Sequence, residues 1–189
     1  ICLILFQAIK PKGGEMPVVM GAGGSGILLH EAIGHAFEAD FNRKNTSIFS
    51  DQLNKKVCNE HINVVDDGTI PFNRGSVNID DEGVDGQKTY IVREGVLTSY
   101  LHDRISAKHY GIPSTGNGRR ESFRQMPIPR MRATYMEAGN VTEEEIISTV
   151  KKGIYAANFT NGQVQIGAGD FTFFVKDGYL IENGKLTQP

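Results

Sequence analysis

Residues 20–40 read MGAGGSGILLHEAIGHAFEAD, and this stretch determines how the rest of the chain is interpreted. A glycine-rich loop leads into an apolar segment of helical character that carries His30, Glu31 and His35 in the order H-E-x-x-x-H. Neutral imidazoles are good zinc ligands, and a glutamate beside the first one can act as general base on a metal-bound water. The stretch therefore predicts a metal-dependent hydrolase site, with His30 and His35 as ligands and Glu31 as the catalytic base.

The spacing of the two histidines predicts an irregular helix. They are five positions apart, one more than in the familiar H-E-x-x-H zinc helix. Five residues turn a regular α-helix by about 500°, which leaves the two rings roughly 140° apart. A π-bulge with i→i+5 bonding would bring them together, and Gly34 has no Cβ to resist such a distortion or a helix end.

Two other interpretations of this stretch stay open. Histidines on an apolar helix are commonly packing residues, and short motifs match by chance. Gly21, Gly23 and Gly26 also fit the G-x-G-x-x-G dinucleotide fingerprint, between an apolar run and a helix. That fingerprint needs a second strand ending in an acidic residue, whereas polar residues occupy 41–46. Nucleotide binding is therefore disfavoured.

A wider pattern resembles a known family. Residues 28–44, LLHEAIGHAFEADFNRK, are similar to the signature of the zinc-peptidase branch of the TldD/PmbA family, whose older description is modulators of DNA gyrase. Similar segments follow in the same order at 64–69, 74–77, 80–83, 115–122, 129–131 and 179–185. The resemblance implies a zinc-dependent peptidase that hydrolyses unfolded or unstructured peptides, with peptide maturation or degradation as its role.

The resemblance also implies partners and a substrate-binding loop. The expected partner is a related metal-free subunit of the PmbA/TldE type in a hetero-oligomer, or a second copy in a homodimer. Because such metal-free relatives exist, a non-catalytic scaffold or partner-binding module is the alternative function. Arg119 and Arg120 lie in a glycine-rich loop that the resemblance puts near the active-site cleft, where they would bind substrate. Composition alone favours a solvated loop.

Two histidines leave a catalytic zinc one ligand short, because such a site usually has three protein ligands and an open position. The resemblance implies that the third is a cysteine beyond the segment 179–185, outside this chain, and neither cysteine present matches that place. The spacing singles out none of three other possible donors: Glu38, Asp40 and His61. We therefore expect residues 1–189 to be one domain of a longer protein's C-terminal metallopeptidase region, and to be inactive and poorly metallated alone.

Composition excludes several classes. The 189 residues carry a net charge of −2, which gives no basic footprint for direct nucleic-acid binding. Cys2 and Cys58 do not make a disulfide framework, so a reducing, cytoplasmic location is expected. The apolar residues 1–6 are far too short to span a membrane, and no charged region precedes them as in a signal peptide.

Local patterns predict an α+β fold, mostly antiparallel sheet with the metal-site helix packed on it. Asp103 and Gly111 are expected to bound one helix, and the capping box Thr142–Glu145 to begin another. Turns are expected at Asp67-Gly68, Glu94-Gly95 and Asp177-Gly178. Strands are expected at 17–20, 77–80, 89–93, 96–101, 163–166, 170–175 and 179–182. The acidic residues 80–82 lack calcium-loop spacing and predict an acidic turn.

Overall fold

The structure is a computed structural model that describes residues 6–189, so Cys2 lies outside the described residues. The chain divides into two compact units. The first comprises residues up to 28, 139–163 and 172–189, and the second comprises 29–138 and 164–171. The expectation that residues 1–189 form a single domain stays a prediction.

The helices and strands alternate along the chain, with long irregular connections between them. The helices are α1 (Ser25–Leu28), α2 (Ala39–Arg43), α3 (Arg104–Tyr110) and α4 (Glu143–Ser148), with a π-helical turn at Leu29–Gly34 and a 3-10 turn at His35–Phe37. The strands are β1 (Val18–Met20), β2 (Val64–Asp67), β3 (Lys88–Arg93), β4 (Val96–Leu97), β5 (Gly118–Arg119), β6 (Ile128–Pro129), β7 (Thr134–Met136), β8 (Lys152–Gln165), β9 (Asp170–Glu182) and β10 (Lys185–Leu186).

A four-stranded sheet in the order β1-β8-β9-β10 organises the first unit. Strand β1 pairs in parallel with β8, and β10 pairs antiparallel with β9. Helix α4 begins with the predicted capping box, since both reciprocal hydrogen bonds between Thr142 and Glu145 are present. Its buried Ile147 packs against Val19 and Ile181. Burial of these apolar side chains gives the unit its core.

The predicted turn at Asp177-Gly178 is wrong, because β9 runs without a break through both residues. A Cβ on Gly178 would lie 2.6 Å from the carbonyl oxygen of Tyr155, so the glycine permits close approach of the neighbouring strand. The strand predicted at 163–166 is part of the much longer β8, whose polar residues conceal its pattern.

An antiparallel sheet in the order β4-β3-β2-β7 organises the second unit. All four residues of β2 are buried between two neighbouring strands. The core contains Phe37, Val64, Ile91 and Leu101, and Leu29 and Ile33 of the π turn pack against it. The histidine-bearing segment therefore packs against the core that includes the sheet residues of this unit. The predicted α+β class is confirmed.

Two short-range predictions in the second unit are confirmed. Glu94 and Gly95 have φ of 50° and 76°, which suits a two-residue hairpin turn between β3 and β4. The Asp103 carboxylate accepts a hydrogen bond from the Ser106 amide at 2.7 Å, and Gly111 ends α3 with φ 67°.

Other local predictions are wrong or too long. The turn expected at Asp67-Gly68 does not join two strands directly. Strand β2 ends at Asp67, whose Oδ1 accepts hydrogen bonds from both the amide and the hydroxyl of Thr69, and the next strand, β3, begins only at Lys88. No strand forms at 77–80, because the Asp80 carboxylate accepts amide hydrogen bonds from Glu82, Val84 and Gly118. These bonds make the acidic turn that was predicted for 80–82. The strand expected at 96–101 ends at Leu97.

Membrane insertion was not expected from the sequence. Within residues 6–189, none of the helices combines the length and the apolar character that a membrane-spanning helix requires.

Candidate metal centre

The histidine-bearing segment is irregular, as its spacing predicts. A π-helical turn covers Leu29–Gly34 and a 3-10 turn follows at His35–Phe37. The wider turn places residues five apart on one side of the helix. The His30 and His35 ring centroids are consequently 4.7 Å apart, with the ring planes at 84°.

Gly34 is required by packing more than by backbone conformation. Its φ of −57° and ψ of −50° are ordinary right-handed helical values that any residue adopts. A Cβ at this position would collide with Sδ of the buried Met131 and lie 3.3 Å from the Leu29 carbonyl oxygen. The absence of a side chain at Gly34 therefore lets the π turn pack against the core.

Three potential metal ligands meet at this turn. One donor atom from each of His30, Glu31 and His35 can be chosen so that all lie within 4.8 Å of one another. His30 is exposed and the other two are partly buried, so the cluster is accessible from solvent. Two imidazoles suit zinc, and the carboxylate beside them can act as a further ligand or as a base on a metal-bound water. The residues present therefore fit the metal that the sequence predicts.

The two imidazoles have different electrostatic environments. Partial burial, followed by the nearby His35, lowers the pKa of His30 and favours its neutral form. The hydrogen bond that His35 makes to the Glu38 carboxylate raises the pKa of His35, partly offset by burial. Only the deprotonated ring nitrogen can bind a metal, so zinc would compete with a proton mainly at His35.

Glu38 contacts His35 directly. The sequence patterns did not distinguish Glu38 from Asp40 and His61 as a possible metal ligand. The Glu38 side chain is 0% exposed, and its Oε2 lies 3.1 Å from His35 Nδ1 and 3.0 Å from Arg130 Nη1. A glutamate three positions after a histidine in a helical segment is a usable signal for such a contact. Arg130 lies 92 positions away from Glu38, and no pattern in the chain links the two.

Asp40 and His61 do not join the donor cluster. Asp40 is buried, with Oδ1 3.7 Å from Arg130 Nη1, and His61 is exposed. The free thiol of Cys58 is partly buried, and this burial raises its pKa. Within residues 6–189, the cluster of three or more potential metal ligands is His30, Glu31 and His35.

The two arginines of the glycine-rich loop differ in their surroundings. Arg119 is exposed on β5, and its charge contributes to the lowered pKa of His30. Arg120 instead makes hydrogen bonds to Asp81, from its amide at 2.8 Å and from its guanidinium at 3.4 Å. The structure therefore brings Arg119 within electrostatic range of the histidine cluster and ties Arg120 to the acidic turn.

A buried polar network holds this loop. Asn117 donates to the carboxylate of Asp66 at 2.6 Å, and the guanidinium of Arg132 donates to the carbonyl oxygens of Gly116 and Gly118. Asp66 also accepts from the Arg132 amide and the Thr134 hydroxyl, although burial still raises its pKa. These bonds fix the backbone next to Arg119.

Comparisons with known proteins find a matching family model and relatives that are named as metalloproteases. The family model described as PmbA/TldA metallopeptidase C-terminal domain matches residues 13–189. A protein named Metalloprotease TldD homolog from Buchnera aphidicola subsp. Acyrthosiphon pisum is 49% identical over 189 residues, which cover 100% of this chain and 39% of that protein. A Zinc metalloprotease TldD homolog from Saccharolobus solfataricus is 36% identical over 185 residues, 97% of this chain and 41% of that protein.

A solved structure shares the fold. The crystal structure of TldE from Thermococcus kodakarensis superposes with a TM-score of 0.82 at 24% identity, covering 97% of this chain and 42% of that one. The chain thus spans about two fifths of the length of the curated relatives it matches.

Proposed function

The chain belongs to the PmbA/TldD family of metallopeptidases, and we propose that it forms the zinc-binding part of a site that hydrolyses unfolded or unstructured peptides. In this proposal residues 1–189 act within a longer protein. The observation that carries the proposal is the cluster of His30, Glu31 and His35, whose donor atoms lie within 4.8 Å of one another. A relative named as a zinc metalloprotease supports the choice of metal.

The residues of the cluster take distinct roles in the proposed reaction. His30 and His35 hold zinc through imidazole nitrogen, and a cysteine outside residues 1–189 supplies the third ligand. Zinc, when bound, supplies the Lewis acidity that activates water and polarises the scissile carbonyl. The carboxylate of Glu31 accepts the proton of the attacking water and later delivers it to the leaving amine. The partly buried position of Glu31 beside His30 suits this transfer.

Substrate binding in this proposal depends on charge and on backbone hydrogen bonds. Arg119 is exposed, lies within electrostatic range of His30 and is not tied to Asp81 as Arg120 is. Its guanidinium suits a carboxylate or a backbone carbonyl of the peptide. Backbone recognition of an extended strand tolerates many sequences, as the hydrolysis of unstructured peptides requires.

The proposed partner is a related subunit of the PmbA/TldE type that binds no metal, or a second copy of the same protein. The fold shared with a protein named TldE supports this choice. In such a pair this chain contributes the metal ligands. A cytoplasmic location completes the proposal and agrees with the sparse cysteine content.

Cleavage assays on the full-length protein test the proposed function. We expect an unstructured peptide to be cut by the zinc-loaded protein, the cutting to stop after chelation and to return when zinc is added. The same segment placed inside a stable folded protein should be cut much more slowly, with mass spectrometry reporting the products. Cleavage that persists after complete zinc removal, or equal rates on folded and unfolded substrates, contradicts the proposal.

A further inference from the structure

We propose that Glu38 is a positioning residue for the metal site, which fixes the tautomer and ring orientation of His35 while Arg130 holds its carboxylate. This inference rests on the proposed function in one respect, namely that His35 binds the metal. It extends that function to residues that contact neither the metal nor the substrate.

The hydrogen bonds to Glu38 indicate which nitrogen of His35 carries the proton. Both the Nδ1 of His35 and the Nη1 of Arg130 approach the same oxygen, Oε2 of Glu38, at 3.1 Å and 3.0 Å. A carboxylate only accepts, so the neutral His35 ring must carry its proton on Nδ1. The lone pair is then on Nε2, which is the nitrogen left for a metal. Carboxylate–histidine–metal arrangements of this kind fix ligand orientation in zinc sites.

The Glu38 carboxylate is buried. Its side chain is 0% exposed, and burying a carboxylate is costly unless it is paired and hydrogen-bonded. Arg130 supplies that partner, and the Arg130 Nη1 also donates to the Pro129 carbonyl oxygen at 2.7 Å. The second oxygen, Oε1, has no hydrogen-bond partner among residues 6–189. The pair with Arg130 and the contact with His35 thus both fall on Oε2 and offset the cost of burying it.

Hydrogen bonds hold the backbone around Glu38. A parallel bridge joins Glu38 to Leu101, with the Ala39 amide donating to the Leu101 carbonyl oxygen and the Leu101 amide donating to that of Phe37, each at 3.0 Å. The Asn42 side-chain amide donates to the carbonyl oxygens of Ala36 and Glu38 at 2.8 and 2.9 Å. These bonds hold the backbone of Glu38, and Arg130 holds its carboxylate, so the carboxylate stays against Nδ1 of His35.

Asp40 provides a matched comparison within the same cluster of charges. It is also a buried carboxylate beside Arg130, at 3.7 Å, but within residues 6–189 it makes no hydrogen bond or ion pair with His35 and lies outside the ligand cluster. A role that depended only on buried negative charge near Arg130 would be shared by Asp40. A role in positioning His35 is specific to Glu38.

The test combines nuclear magnetic resonance with zinc affinity in the full-length protein. Imidazole nitrogen shifts of His35 are recorded without metal, at a pH well above the ordinary imidazole range, so that the ring is neutral. Zinc affinity is measured by competition with a chromogenic chelator. The variants are Glu38→Ala, which removes the acceptor, and Glu38→Gln, which keeps an acceptor oxygen but removes the charge, with Asp40→Asn as the control.

We expect a single Nδ1–H tautomer of His35 in the wild type and in Asp40→Asn. Glu38→Ala should give a mixture of tautomers and weaken zinc binding by up to about 100-fold, and Glu38→Gln should keep the tautomer and weaken binding by about 10-fold. An Nε2–H tautomer in the wild type overturns the inference, as does wild-type zinc affinity in Glu38→Gln. These two readouts decide the matter even if Glu38→Ala fails to fold.

The tautomer measurement also separates this inference from the proposed function. It needs neither zinc nor substrate, so an Nδ1–H tautomer that depends on Glu38 would stand even if the protein cleaved no peptide. Failure to bind zinc in the wild type, in contrast, would remove the proposed function while leaving the contact between Glu38 and His35 intact.

Discussion

Replacing Glu31 with glutamine in the full-length protein should lower peptide turnover by about 10²- to 10⁴-fold while zinc stays bound. The amide keeps the size of the side chain but cannot accept a proton. His30 and His35 are unchanged in this variant, so the proposed ligand set survives. Turnover of an unstructured peptide and the zinc content of the same samples should be measured together.

The matched control for that prediction is Glu60→Gln. Glu60 is an exposed carboxylate that pairs with Lys56 at 3.4 Å, in the same structural unit as Glu31. This variant should keep wild-type turnover. Wild-type turnover in Glu31→Gln would remove Glu31 from the role of base, and loss of zinc from that variant would reassign Glu31 as a ligand.

The second large effect concerns acid stability and His102, whose side chain is 0% exposed. Neither ring nitrogen has a hydrogen-bond partner among the described residues. Burial lowers the pKa of His102 from 6.5 to about 4, opposed by the charge of Asp103. Well above pH 6.5 the ring is neutral in both the folded and the unfolded state, and its contribution to stability is fully present.

As the pH falls from 6.5 towards 4, the unfolded chain takes up a proton at His102 that the folded chain does not. The free energy of unfolding should therefore fall by about 3 kcal/mol across this range through His102 alone. Below the folded pKa both states are protonated and the loss levels off. Urea unfolding at a series of pH values measures the effect.

The variant that isolates this contribution is His102→Phe, which keeps a planar ring next to Tyr100 and Tyr110. The difference in stability between pH 7 and pH 4 should be about 3 kcal/mol smaller in this variant than in the wild type. Tyr110→Phe is the control, because it changes the packing on His102 without altering a group that titrates in this range. Equal acid sensitivity in wild type and His102→Phe contradicts the assignment.

The parts of the structure that sequence patterns predicted depend on neighbours close in the chain. His30, Glu31 and His35 lie within six positions, so helix geometry alone predicted an irregular helix, and the structure has a π turn there. The caps at Asp103 and Thr142 each require a contact only three residues along. Local chemistry is sufficient for features of this kind.

The parts that patterns did not predict depend on contacts between distant residues. Arg130 contacts Glu38, which lies 92 positions earlier in the chain. Position 34 requires a glycine because Met131 packs where a Cβ would lie. Gly178 has the composition of a turn, yet it lies inside a strand because a neighbouring carbonyl oxygen approaches it closely. In each case the tertiary contact overrides the local preference of the residue.

Elemental analysis of the purified full-length protein tests most directly whether His30 and His35 hold zinc. We expect one zinc per chain in the wild type, loss of that zinc in His30→Ala and in His35→Ala, and its retention in His61→Ala, which changes an exposed histidine outside the cluster. A wild-type protein without zinc, or zinc retained in both ligand variants, would contradict the account.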